Sequence, residues 1–155
     1  MKKGGGHGKG SSFERKIAKD IVKAFRKKFK WVKQRDCWRS VLSGGHEMSA
    51  GDLRMTPEFQ KLFPYAVECK FYRKIDWWKF LLTKKKPLGK EWRWVRQAVE
   101  GSLKGQRDHL MPLLVMKANF GPTIVCRPPR ASEGGWRFDL WKDFLGEAVR
   151  YASGK

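Results

Sequence analysis

The chain has 155 residues, enough for one domain of ordinary size, and 41% of them are hydrophobic, enough to fill a core. Lys and Arg number 35 against 15 Asp and Glu, a net charge of +20 at a pI near 10.2. Self-repulsion of that size is tolerated in chains that meet a polyanion, and nucleic acid leads because each neutralised phosphate releases a condensed counterion. No run of about 20 apolar residues argues for a membrane span, and no apolar stretch behind the N-terminus argues for a signal peptide. Cys37, Cys69 and Cys126 are odd in number and far apart, matching neither a disulfide framework nor a zinc spacing, so a reducing cytoplasm is the expected location.

In chain order, residues 1–11 hold five glycines and three lysines and predict a mobile basic arm, with the folded domain running over 12–155. Ser12 reads as the N-cap of a helix over 13–29, with Phe13, Ile17, Ile21, Val22, Phe25 and Phe29 on one side and basic residues on the other. Strands are expected over 37–42, ending at the turn Ser43-Gly44-Gly45, and over 51–55. Thr56 then Pro57 open a short helix over 57–62. The clearest strand is 65–72, with Val67 and Cys69 on one face and Glu68 and Lys70 on the other. A short helix over 75–82 precedes the solvated loop Lys84-Lys85-Lys86-Pro87, whose natural use is phosphate contact. Trp92, Val95, Val99 and Leu103 mark a helix over 91–103, followed by strands over 110–118 and 123–127. Asp139 is the expected cap of a last helix carrying Trp141, Phe144, Leu145, Ala148 and Val149. The order implies an α/β fold, a central mixed sheet of about five strands flanked by helices.

Glu14, Asp52 and Glu68 stand out in so basic a chain, and Lys70 shares a strand face with Glu68, about 6.6 Å along it. Paired carboxylates at a sheet edge suit hard cations such as Mg²⁺ or Mn²⁺, which bridge a phosphate and activate a water. A neighbouring lysine can orient that water or stabilise charge on the phosphate. Each piece also has an ordinary reading. Glu68–Lys70 alone is a same-face ion pair, Asp52 a turn residue, and Glu14 a complement to a helix N-terminus. Tryptophans at helical spacing, as at Trp77, Trp78, Trp92 and Trp94, are usually core, although basic residues among aromatics can also grip a backbone and stack bases. His46 reads as polar surface and Cys69 as a small buried side chain. The set in this order, with two charges inside an otherwise apolar strand, favours the catalytic reading.

This arrangement resembles the PD-(D/E)xK nuclease superfamily: Gly51-Asp52, fifteen residues, then Glu68-Cys69-Lys70. Glycine stands for the nominal proline, a departure expected to leave the chemistry untouched. Within the superfamily the chain is similar to archaeal-type Holliday junction resolvases and phage-encoded endonucleases of that kind, over roughly residues 10–120. The likeness is carried by Phe13-Glu14-Arg15, Trp38-Arg39-Ser40 before Ser43-Gly44-Gly45, Asp52, and Val67 to Lys70. Trp94, Gln97 and Glu100, and Pro112 to Val115 followed by Lys117, add to it. The resemblance implies a restriction-endonuclease-like fold, Asp52, Glu68 and the Cys69 carbonyl as metal ligands, Glu14 as a further acidic ligand, and Lys70 as the catalytic lysine. It implies DNA contacts from Arg15, Arg39, Ser43, Gly44 and Gln97, a Mg²⁺ cofactor that Mn²⁺ can replace, and a homodimer cutting a four-way junction with paired nicks that leave 5′-phosphates. The competing readings are a PD-(D/E)xK nuclease of restriction or repair type, and a non-catalytic basic nucleic-acid-binding protein.

Overall fold

The computed structural model describes residues 6–40, 51–77, 80, 90–103, 110–128 and 135–154. Helix α1 (Gly6–Arg26) buries Phe13, Ile17, Ile21, Val22 and Phe25, as the apolar spacing predicts. It starts earlier and stops sooner than expected: residues 6–11 are helical rather than a free arm, and Ser12 lies inside the helix instead of capping it. Glycine costs about 1 kcal/mol per helical position. Propagation from a nucleated amphipathic stretch nevertheless adds one hydrogen bond per residue, and Ser11 Oγ donates back to the Gly8 carbonyl at 3.2 Å.

A 3₁₀ turn (Gln34–Asp36) leads into β1 (Cys37–Arg39), which pairs antiparallel with β2 (Leu53–Met55). Helix α2 (Pro57–Leu62) starts where the sequence places it, with Thr56 at the N-cap and Pro57 in the first turn. The Thr56 hydroxyl lies 3.5 Å from buried Asp36 and makes no cap hydrogen bond. Strands β3 (Tyr65–Tyr72), β4 (Met111–Ala118), β5 (Thr123–Arg127) and β6 (Arg137–Leu140) form a second sheet in that spatial order. Strands β3 and β4 are parallel, and helix α3 (Lys90–Leu103) lies on the crossover that a parallel pair requires. Helix α4 (Trp141–Ser153) follows β6. Of the short helix expected over 75–82, the Phe80 N–H donates to the Asp76 carbonyl at 3.0 Å; residues 78, 79, 81 and 82 lie outside the described set.

The fold is the expected mixed α/β one, consistent with a restriction-endonuclease-like architecture. Its described strands are six, divided between two sheets, rather than about five in one. The strand not anticipated is β6. Asp139 lies within it and caps nothing; Leu140 occupies the N-cap of α4. An ion pair outcompetes capping here: Arg127 Nε donates to Asp139 at 2.9 Å and Arg127 Nη2 to Glu147 at 2.7 Å. A guanidinium 7% exposed needs both partners, and their pull fixes β5 to β6 and to α4.

Alternation along the second sheet sorts its side chains into two cores. Val67, Cys69, Leu113, Val115 and Val125 pack toward α1 and α4, where Phe25 meets Phe59 and Phe63 edge-on at 5.3 and 5.7 Å. Leu114, Met116, Ala118 and Cys126 pack toward α3, on Trp92, Trp94, Val95 and Ala98. The sheet is thus covered on both faces, which explains its nearly continuous apolar strands.

Residue 52 joins the two sheets. Its carbonyl accepts the Ser40 N–H at 2.7 Å and its own N–H donates to the Val67 carbonyl at 2.7 Å. Gly51 makes that approach possible, with φ +78° and a hypothetical Cβ only 2.4 Å from the Val67 oxygen. A proline, whose φ is held near −65°, cannot take this conformation. The glycine found in place of the nominal proline is therefore required by the backbone. Gly51→Ala is expected to cost on the order of 2 kcal/mol or more, read as a lowered urea midpoint with unchanged slope; a midpoint equal to wild type contradicts the close approach.

Candidate active site

Strand β3 carries the candidate site. Val67, Cys69 and Phe71 pack toward α1 while Tyr72 packs toward α3, so alternation assigns Glu68 and Lys70 to the α3 face. Strand β4 covers one edge of β3. The other edge takes Asp52, whose Oδ2 accepts the Cys69 N–H at 2.8 Å while its main chain bonds Val67. A residue's N–H and C=O leave a strand on the same side, which assigns the Cys69 carbonyl to this edge too.

Glu68 is buried, 6% exposed, and its Oε1 accepts from Lys70 Nζ at 2.7 Å. Half-buried Glu14 on α1 pairs with Arg39 on β1. Burial first, then repulsion from Glu68, pushes the Asp52 carboxyl up to about 7. Glu14 pushes the same way, whereas the Cys69 N–H and Lys70 favour the anion. Burial and the same carboxylates raise the Cys69 thiol well above its ordinary range, which fits the small buried side chain and opposes a nucleophile.

Glu14, Asp52, Glu68 and Lys70 are thus brought into electrostatic range of one another. Among the described residues no three His, Cys, Asp or Glu side chains stand as a ready metal-ligand group; Lys70 holds Glu68 and Arg39 holds Glu14. The donors still suit a hard cation in kind. All are oxygens, and their mutual repulsion is a negative surplus that a divalent ion relieves.

Gln97 is exposed on α3 between two landmarks: Trp94 stacks on Tyr72, and Gly101 approaches the Gly51 nitrogen. Spacings of three and four residues put all three on one helix face, turned toward β3. Arg15 is exposed on α1 and Arg39 is half-buried against Glu14. Trp92 and Trp94 are core residues. Ser43, Gly44, His46, Lys84, Lys85 and Lys86 lie outside the described residues. The sequence points to Ser40 only as part of Trp38-Arg39-Ser40 and shows neither its full burial with its N–H on the Asp52 carbonyl nor the conformational role of Gly51. A glycine directly before the acid was the available signal for the latter.

A family model described as "Phage putative PDDEXK endonuclease" matches residues 5–134. The chain belongs to this family. It is a nuclease of the PD-(D/E)xK type, its substrate is nucleic acid, and nucleases of this type generally use divalent metals. No curated protein and no solved structure matches the chain. Among the described residues no helix is long and apolar enough to cross a membrane.

Raising the Asp52 carboxyl from 3.8 to about 7 has a signed consequence for the metal-free protein. The stability it contributes is complete below the unfolded value and is lost as pH rises through the folded one. Thermal unfolding in chelator between pH 4.5 and 8 is expected to show a decline in Tm that is smaller in Asp52→Asn. Equal declines in the two proteins contradict the assignment.

Proposed function

We propose that this chain is a divalent-metal-dependent DNA endonuclease that cuts four-way junctions in paired, symmetric nicks as a homodimer, with Mg²⁺ as the natural cation and Mn²⁺ able to replace it. The observation that carries the reading is the bond from the Cys69 N–H to Asp52 at 2.8 Å, beside the Glu68–Lys70 pair. It sets the carboxylate of one segment against the Glu-x-Lys strand of another.

In this reading Asp52, Glu68 and the Cys69 carbonyl hold the cation, with Glu14 as a further oxygen donor. The bound ion supplies charge neutralisation at the phosphate and a lowered pKa for water. Lys70, released from Glu68, orients the attacking water and then faces the charge that develops on the phosphoryl oxygens. Hydrolysis forms a new P–O bond from water and breaks the P–O3′ bond, and a proton goes to the leaving O3′, leaving a 5′-phosphate and a 3′-hydroxyl. Arg15, Arg39, Gln97 and the lysines at 84–86 are the proposed backbone contacts, with Ser43 and Gly44 beside the cut.

The outer side of α1 supports a backbone-tracking mode of binding. Arg15, Lys16, Lys19, Lys23 and Arg26 are all exposed there, and such contacts position a duplex without reading its bases. Junction selectivity then comes from shape and two-fold symmetry, because two sites in a dimer can address two strands of like polarity.

Cleavage of a labelled four-way junction beside a linear duplex of matched sequence tests this, with Mg²⁺ or chelator. Symmetric nicks confined to the junction are expected, abolished by chelator and reduced about 100-fold or more in Asp52→Asn. Equal cutting of the duplex removes the junction claim and keeps the nuclease. Binding without cutting in either Mg²⁺ or Mn²⁺ removes the catalytic assignment.

A further inference from the structure

Beside the Glu68–Lys70 pair stands an aromatic stack with a cation on it. The rings of Tyr72 and Trp94 are stacked, centroids 4.5 Å apart and planes at 20°. Lys90 Nζ lies 3.8 Å from the Tyr72 centroid and 5.4 Å from that of Trp94. Trp94 is 6% exposed and anchors the stack in the α3-side core, whereas Tyr72 is half-buried and Lys90 exposed. Tyr72 shares its strand face with Glu68 and Lys70 and lies two residues, about 6.6 Å, beyond the lysine.

This cation differs from the others at the site. Lys70 is matched by Glu68 and Arg39 by Glu14. Lys90 rests on ring faces and has no carboxylate partner among the described residues. A ring face attracts an ammonium without neutralising it, so the charge stays available to an anion. The stack also restrains a head group that is otherwise a mobile, strongly hydrated point charge on a flexible stem. An ordered, uncompensated cation beside a phosphodiester-cutting site has one obvious ligand class, the backbone phosphate.

We propose that Lys90, held over the Tyr72–Trp94 stack, is a phosphate-binding subsite that grips the strand being cut at a phosphate flanking the scissile one. This rests on the active-site reading given above. Lys90 makes the contact, and Tyr72 is a positioning residue acting through it. A phosphate contact carries no base information, so the subsite sets register and affinity rather than sequence choice.

The test is binding of the full-length protein to a four-way DNA junction in chelator across a salt series, followed by steady-state cleavage in Mg²⁺. Lys90→Gln is expected to lower the slope of log affinity against log salt by about 0.9 and to raise KM rather than lower kcat. Lys90→Arg should restore both quantities. Tyr72→Leu should reproduce the Lys90→Gln defect with the lysine still present, and adding Lys90→Gln to it should cost little more. If Tyr72→Leu does not fold by circular dichroism, the Gln and Arg variants at position 90 decide alone. An unchanged slope and KM in Lys90→Gln overturn the proposal, as does a Tyr72→Leu defect without a Lys90→Gln defect, which assigns the stack to a base. Because the salt series needs no cutting, a wild type that binds but never cleaves refutes the nuclease site while the slope still decides Lys90.

Discussion

Asp52 is bonded through its carbonyl to Ser40, through its N–H to Val67 and through its carboxylate to the Cys69 N–H. Three bonds at one residue make it the joint between a two-stranded and a four-stranded sheet, and they aim its side chain at the only free edge of β3 among the described strands. The joint depends on a backbone approach so close that Gly51 admits no side chain. Structure and candidate chemistry are therefore not separable at this point. The contact that closes the sheets is the one that places a carboxylate next to Glu68 and Lys70.

The cost of that placement is electrostatic. Burial and the neighbouring carboxylates hold the Asp52 acid form up to about 7, and the chain balances its other two acids with cations already in place, Lys70 on Glu68 and Arg39 on Glu14. Such a cluster is poised between two ways of matching its charge, by its own lysine and arginine or by an incoming divalent ion. Were Glu68 to hold such an ion, Lys70 would be free to act on the phosphate in the proposed mechanism. The same logic separates Lys90 from its neighbours, because aromatic faces order it without matching its charge.

Much of this was legible in the sequence. The apolar spacing of α1, the Thr56-Pro57 start of α2, and the strand face shared by Glu68 and Lys70 are local patterns with local causes. What escaped had non-local causes. Asp139 reads as a helix cap because nothing nearby in sequence shows that Arg127 and α4 claim it. The way the two sheets are joined depends on the bonds Asp52 makes to Ser40 and Val67, both far from it in sequence. Glycines near the N-terminus read as a free arm, since propensity tables do not include the pull of a helix already formed beside them. The role of Gly51 lies between these cases: the sequence shows the glycine, but only the approach of Val67 shows why it is there.

In the proposed site Asp52 and Glu68 together hold a divalent cation at the edge of β3. Calorimetric titration of Mn²⁺ into the wild type, Asp52→Asn and Glu68→Gln at pH 8, without DNA, addresses it directly. The wild type is expected to give a binding isotherm and each variant at least about tenfold weaker affinity, with native circular dichroism retained. Mn²⁺ binding in both variants that matches the wild type would contradict it.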